Sequence, residues 1–83
     1  MAQSILPKES GHVIGIKQVS KAIGRGVAEK VYVADDAEKR VVLPLEELCD
    51  RHGVSIVRIA TMKELGSACG IEVGAAAAAL LKS

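Results

Sequence analysis

Gly15-Ile16-Lys17-Gln18-Val19-Ser20-Lys21-Ala22-Ile23-Gly24-Arg25-Gly26 follows a short apolar run, His12-Val13-Ile14. Together they read as a strand that turns at Gly15 into a helix. On a helical wheel Val19, Ala22, Ile23 and Val27 share one side, the spacing of a buried face. Lys17, Lys21 and Arg25 share another side, each four residues from the next, with Gln18 at the edge of the stripe. From Ser10 to Ala28 there is no acid. Like charges four apart destabilise an isolated helix, so a negatively charged partner would give the stripe a purpose. The helix start adds free N–H groups and a positive dipole end beside Gly15. These are the features of a phosphate-contacting element. A solvated helix face with three cations has the same periodicity, and the pattern alone leaves both readings open.

Downstream, Gly24 or Gly26 is expected to end this helix. Lys30-Val31-Tyr32-Val33-Ala34 is a β-branched strand. Leu43-Pro44-Leu45-Glu46-Glu47-Leu48-Cys49-Asp50-Arg51-His52-Gly53 reads as a helix. Pro44 suits its first turn, Glu46 and Glu47 suit its dipole, and Gly53 suits its end. Leu45, Leu48, Cys49 and His52 are predicted on one face. Val54-Ser55-Ile56-Val57-Arg58-Ile59 is a further strand. Thr61-Met62-Lys63-Glu64 is a capping box that opens a helix ending at Gly70. Ile71-Glu72-Val73-Gly74 is a loop with two exposed-looking apolar residues. The run from Ala75 to Leu81 is mostly alanine, the best helix former. It nevertheless follows a glycine and has no polar positions, which predicts a fully buried strand. Upstream, residues 1–10 could form a short helix limited by Pro7. The alternation of strand and helix predicts an α/β fold, a three-layer α/β/α domain.

Eighty-three residues make one domain. A chain of this size buries roughly 60–65% of its unfolded surface, so a modest core fits and a large active-site cavity does not. There is no Trp and no Phe, and Tyr32 is the single aromatic residue. Base stacking on aromatic platforms is therefore excluded; a nucleic-acid reader built from this chain must use shape, phosphates and base edges. The net charge of +1 excludes a polybasic tail. The segregation of charge, basic over 10–28 and acidic at Glu46, Glu47 and Asp50, suits a compact footprint. Cys49 and Cys69 lack metal-ligand spacing and read as small buried hydrophobes in a reducing compartment. No signal peptide or membrane span is apparent, which predicts a cytoplasmic protein with no membrane partner.

Searches for reaction chemistry return little. Gly15 lacks the Gly-Lys-Ser/Thr ending of a phosphate-binding loop, and no Gly-x-Gly-x-x-Gly or Gly-x-Ser-x-Gly occurs. Asp35 and Asp36, at the end of a strand, could in principle bind a metal or act as acid and base. No third ligand of suitable type and no catalytic His is recognised nearby, and turn and helix-start acids are the plainer reading. His12 reads as a strand-edge residue. No cofactor, metal, small-molecule substrate or catalytic residue is expected, and the chain reads as a non-enzyme.

Four segments together resemble the ribosomal protein family named L-seven-Ae, which binds kink-turn RNA. They are Gly15-Ile16-Lys17-Gln18-Val19-Ser20-Lys21, Val33-Ala34-Asp35-Asp36-Ala37, Leu43-Pro44-Leu45 with Leu48-Cys49, and Leu65-Gly66-Ser67-Ala68-Cys69-Gly70-Ile71-Glu72-Val73-Gly74. The resemblance covers Ser10 to Leu81 and looks closest to the short bacterial, YbxF-like branch. It implies an α/β/α sandwich around a mixed four-stranded sheet. It implies that Gly15, Lys17, Gln18 and Lys21 face the tandem G·A pairs and backbone of a bent RNA. Arg25 extends the same stripe. Ile71, Glu72 and Val73 would cover an extruded nucleotide, and Glu38 matches an acid near that base in some members. Archaeal and eukaryotic members typically read Gly-x-Asn-Glu-x-x-Lys, so Lys17 and Gln18 depart from them. The partner implied is structured RNA, a kink-turn or ribosomal RNA; the mild charge and small size of the chain fit a monomer. A protein-interaction or structural module on the same fold is the alternative; it has no need of the basic stripe.

Overall fold

The computed structural model describes residues 11–82. The helix expected within residues 1–10 lies outside them. Among the described residues four strands and three helices alternate: β1 (His12–Ile14), α1 (Ile16–Gly24), β2 (Ala28–Ala34), α2 (Lys39–His52), β3 (Ser55–Ile59), α3 (Met62–Ala68) and β4 (Ala77–Leu81). The sheet runs β1-β4-β2-β3. β4 is antiparallel to both its neighbours, and β2 pairs with β3 in parallel, so the sheet is mixed. The parallel pair is joined through α2, since parallel strands need a crossover. α1 and α2 pack on each other against one face, and α3 covers β2, β3 and β4 on the other.

The alanine-rich run is a central strand. Ala77, Ala78 and Ala79 are fully buried and Leu80 nearly so. Both faces of β4 are covered, which is why its sequence shows no polar alternation. Val31, Tyr32, Val33 and Ala34 of β2 are buried beside it. Onto this double-sided centre α1 sends Val19 and Ile23, α2 sends Leu45 and Cys49, and α3 sends Leu65. The small side chains of β4 let these larger ones approach from both layers.

Several boundaries differ from the sequence expectation. α2 begins at Lys39, four residues early, and Pro44 stands in its second turn instead of its first. The buried positions of α2 are Val42, Leu45 and Cys49, whereas His52 is exposed. Val27 is not on the buried face of α1. The helix stops at Gly24, and Val27, beyond it, is 40% exposed. β2 starts two residues early at Ala28, and β4 two residues late at Ala77. The Thr61 half of the capping box of α3 is as expected: Thr61 Oγ1 accepts from the Glu64 N–H at 3.0 Å.

Candidate nucleic-acid interface

Antiparallel and parallel pairing bring four strand ends to one end of the sheet. These are the carboxyl ends of β1, β2 and β3 and the amino end of β4. Backbone hydrogen bonds stitch them together. The Gly15 N–H donates to the Ala77 carbonyl at 2.9 Å, and the Ala34 N–H to the Ala76 carbonyl at 3.0 Å. The Asp35 N–H donates to the Ile59 carbonyl at 2.7 Å. The start of α1 is thus fixed beside the chain that leaves the loop at 71–76.

Gly15 is the N-cap of α1, at φ 102° and ψ 150°. Only glycine populates that region readily. The backbone there enters the helix with no side chain and no side-chain cap, which among the described residues leaves the first N–H groups open. Lys17, Gln18, Lys21 and Arg25 are all exposed, while Val19, Ala22 and Ile23 are buried. The helix has no acid in its first turn. Among the described residues none of the three cations is in an ion pair. Four residues of helix advance about 6 Å, so the stripe runs from the sheet end down the length of α1. Gln18, Lys21 and Arg25 also line a shallow hollow of about 190 Å³, together with the apolar Val13, Ala22, Val27 and Leu81. Tyr32 is buried and unavailable for base stacking.

The loop at 71–73 folds back along α3. The Ile71 N–H donates to the Gly66 carbonyl at 3.0 Å, and the Ala75 N–H to the Met62 carbonyl at 3.0 Å. Ile71 is half-buried, Glu72 is exposed, and Val73 is 70% exposed. Glu38 is the N-cap residue of α2 but makes no cap hydrogen bond with its side chain. Its carboxylate instead pairs with Arg40 Nε at 2.7 Å in solvent. Gly15, Lys17, Gln18, Glu38 and the loop therefore belong to elements that meet at one end of the sheet. Lys21 and Arg25 lead away from it.

The two acids after β2 have structural partners. Asp35 lies 3.4 Å from Arg58, which also reaches Glu46 at 3.2 Å. The Glu46 hydrogen bond and charge, with a smaller part from Asp35, hold the Arg58 cation above its ordinary value. Asp36 Oδ1 accepts the Met62 N–H at 2.7 Å. Among the described residues no group of three His, Cys, Asp or Glu could hold a metal. No helix among them is long and apolar enough to cross a membrane. Burial pushes the Cys49 and Cys69 thiols up, with the Glu46 charge adding to the effect at Cys49.

Two features of this end escaped the sequence reading. The bond from Asp36 to Met62 spans 26 residues and has no local signature. The close approach of loop 71–74 to α3 had a signal in Gly66, a glycine within a helical pattern, which marks close packing.

Residues 2–83 match the sequence model of the ribosomal protein L7Ae/L30e/S12e/Gadd45 family. The chain belongs to that family. An RNA-binding protein of Caldanaerobacter subterraneus subsp. tengcongensis is 49% identical over 79 residues, covering 95% of this chain and 93% of the relative. The large ribosomal subunit protein eL8 of Haloquadratum walsbyi is 44% identical over 68 residues. That match covers 81% of this chain and 57% of the longer archaeal protein. Among solved structures, a 15.5kD RNA binding protein of Giardia lamblia superposes with a TM-score of 0.82 at 34% identity. It covers 87% of this chain, which spans 61% of the Giardia protein. Membership of the L7Ae/L30e/S12e/Gadd45 family agrees with the mixed four-stranded sheet and the strand at the alanine run.

Proposed function

We propose that this chain is a non-catalytic RNA-binding protein, ribosome-associated and cytoplasmic. It recognises kink-turn-type structured RNA through the start of α1 and the loop at 71–73. The observation that carries the reading is the junction at Gly15. A side-chain-free helix start, with exposed Lys17, Gln18 and Lys21 behind it, is hydrogen-bonded to Ala77, four residues beyond the exposed Val73 of the loop. A polyanion with an extruded base meets complementary chemistry at both places. The names of the relatives, RNA-binding proteins and a ribosomal protein, support the same class of ligand.

In this reading Gly15 lets the backbone approach the RNA closely. Lys17, Lys21 and Arg25 meet phosphates or guanine acceptors. The Gln18 amide reads base edges of the G·A pairs, and Ile71, Glu72 and Val73 cover the extruded nucleotide. Glu38 joins this contact with its charge already shared with Arg40. No residue acts catalytically, and the protein binds as a monomer.

The test is binding to a standard kink-turn RNA and to a copy with its G·A pairs replaced, at two or more salt concentrations. Each phosphate neutralised contributes about −0.7 to −0.9 to the slope of log K against log salt. The expected result is binding that needs the G·A pairs and weakens with salt. Equal binding to both RNAs would reduce α1 to a general polyanion surface. No binding to either would favour a protein-interaction module on the same fold.

A further inference from the structure

We propose that Asp36 is a positioning residue for the loop at 71–73. Its carboxylate fixes the start of α3, and through it the return of the loop into β4, so that Val73 is held toward an extruded nucleotide of bound RNA. The inference rests on the kink-turn reading above and adds to it a residue that does not itself touch the RNA.

The argument follows a chain of contacts. Asp36 Oδ1 accepts the N–H of Met62, the first residue of α3, at 2.7 Å. The Met62 carbonyl accepts the Ala75 N–H at 3.0 Å. Gly74 packs against the same residue: a Cβ placed there would lie 3.1 Å from Met62 Cβ and 3.4 Å from the Met62 carbonyl carbon. At its other end the loop is tied to the Gly66 carbonyl through the Ile71 N–H. Both fixed points of the loop are therefore on α3.

α3 is seven residues long, too short to be stable on its own hydrogen bonds. It needs anchors. Thr61 caps one N–H, that of Glu64. Asp36 takes another, from a different part of the chain. A carboxylate accepting at a helix start is charge-assisted and aligned with the helix dipole. Asp36 is itself well seated, because its neighbour Asp35 is bonded to the Ile59 carbonyl and Ala37 is buried. The anchor thus transmits the position of β2 to the loop. A loop fixed beforehand loses little conformational freedom on binding, which gives an exposed Val73 its use.

The experiment compares three RNAs: a kink-turn, the same RNA with an abasic residue at the extruded position, and a copy with the G·A pairs replaced. Wild type is expected to prefer the intact RNA to the abasic one. Asp36→Ala is expected to lose most of that preference, several-fold, while its binding still requires the G·A pairs. Asp36→Asn keeps an acceptor oxygen for Met62 and should keep the preference. Thr61→Ala should lower Tm and leave the preference intact.

Full preference in Asp36→Ala overturns the proposal. Equal loss in Thr61→Ala also overturns it, since general loosening of α3 would then explain both. A wild type that needs the G·A pairs but ignores the abasic change overturns the proposal together with the role of the loop. A wild type indifferent to the G·A pairs overturns the kink-turn reading itself. Should Asp36→Ala not fold, Asp36→Ser takes its place, and amide exchange at Ala75 is measured without RNA. Faster exchange than in wild type supports the anchor, and unchanged exchange overturns it.

Discussion

Gly66 and Val73 are in contact so close that no side chain fits between them: a Cβ at Gly66 would meet the Val73 carbonyl oxygen and lie 3.0 Å from its carbonyl carbon. Both obstructing atoms are backbone, so no side-chain rotation relieves the clash. Gly66→Ala must displace the loop from α3 or break the packing of Leu65 beside it. Overpacking of this kind costs about 1–3 kcal/mol, sometimes more. The expected outcome is a clear fall in Tm and a loss of RNA affinity that exceeds the effect of an alanine at exposed Ser67. A Gly66→Ala protein with wild-type Tm and affinity would contradict the geometry.

Pro44 lies within α2 and is exposed. It has no N–H for the carbonyl of Arg40, and proline in a helix interior costs about 3 kcal/mol relative to alanine. Part of that is offset because proline restricts the unfolded chain, by about 0.4–1 kcal/mol. Pro44→Ala is therefore expected to stabilise the protein by at least about 1 kcal/mol, read as a higher urea midpoint with an unchanged slope. A lower midpoint would mean that the proline ring makes packing contacts worth more than the missing hydrogen bond.

The same proline shows why part of the fold was hard to read. The stretch Asp35-Asp36-Ala37-Glu38-Lys39-Arg40, which leads into α2, looks like a charged turn, and Val41, Val42 and Pro44 are poor helix formers. Tertiary packing overrides them: Val42 is buried one turn before Leu45 and two before Cys49. The apolar spacing 42, 45, 49 carried that signal. Val27 was misassigned because the wheel was extended past the glycines that end α1. The alanine strand was legible, since a run without polar positions fits a strand covered on both sides. In the candidate site, the exposed face of α1 was legible because its residues are local in sequence. Loop 71–73 was legible as two apolar residues, Ile71 and Val73, flanking Glu72 between two glycines. The Asp36–Met62 bond was not, because only the folded topology brings those residues together.

Alkaline pH is expected to destabilise the fold. Burial pushes up the thiols of Cys49 and Cys69 from their ordinary 9.0, and the Tyr32 hydroxyl from 10.0, with smaller effects at Tyr32 from Glu29 and then Cys69. In each case the unfolded chain releases its proton first. The stabilisation is fully present below 9.0 and is lost as pH rises toward the folded values, the cysteines acting first and Tyr32 above 10.0. Tm should be level on the neutral side of 9.0 and fall beyond it. Replacing both cysteines by alanine should delay the fall, whatever it does to Tm at neutral pH. An unaltered alkaline limb in that variant would assign the loss to other groups.

Lys21 and Gln18 sit on the same exposed stretch of α1, and their substitutions separate charge from base reading. Lys21→Ala removes one cation that has no ion-pair partner among the described residues. It should weaken binding to every RNA by a similar factor and reduce the salt slope by about 1. Gln18→Glu replaces an amide, with one acceptor oxygen, by a carboxylate with two. A carboxylate can accept from two guanine donors, so affinity for the G·A-containing RNA should rise relative to the G·A-replaced copy. The added negative charge lowers affinity for both RNAs alike, so the ratio of the two is the quantity to measure. An unchanged ratio would mean that Gln18 does not face the G·A pairs, and that the stripe on α1 holds RNA through its phosphates alone.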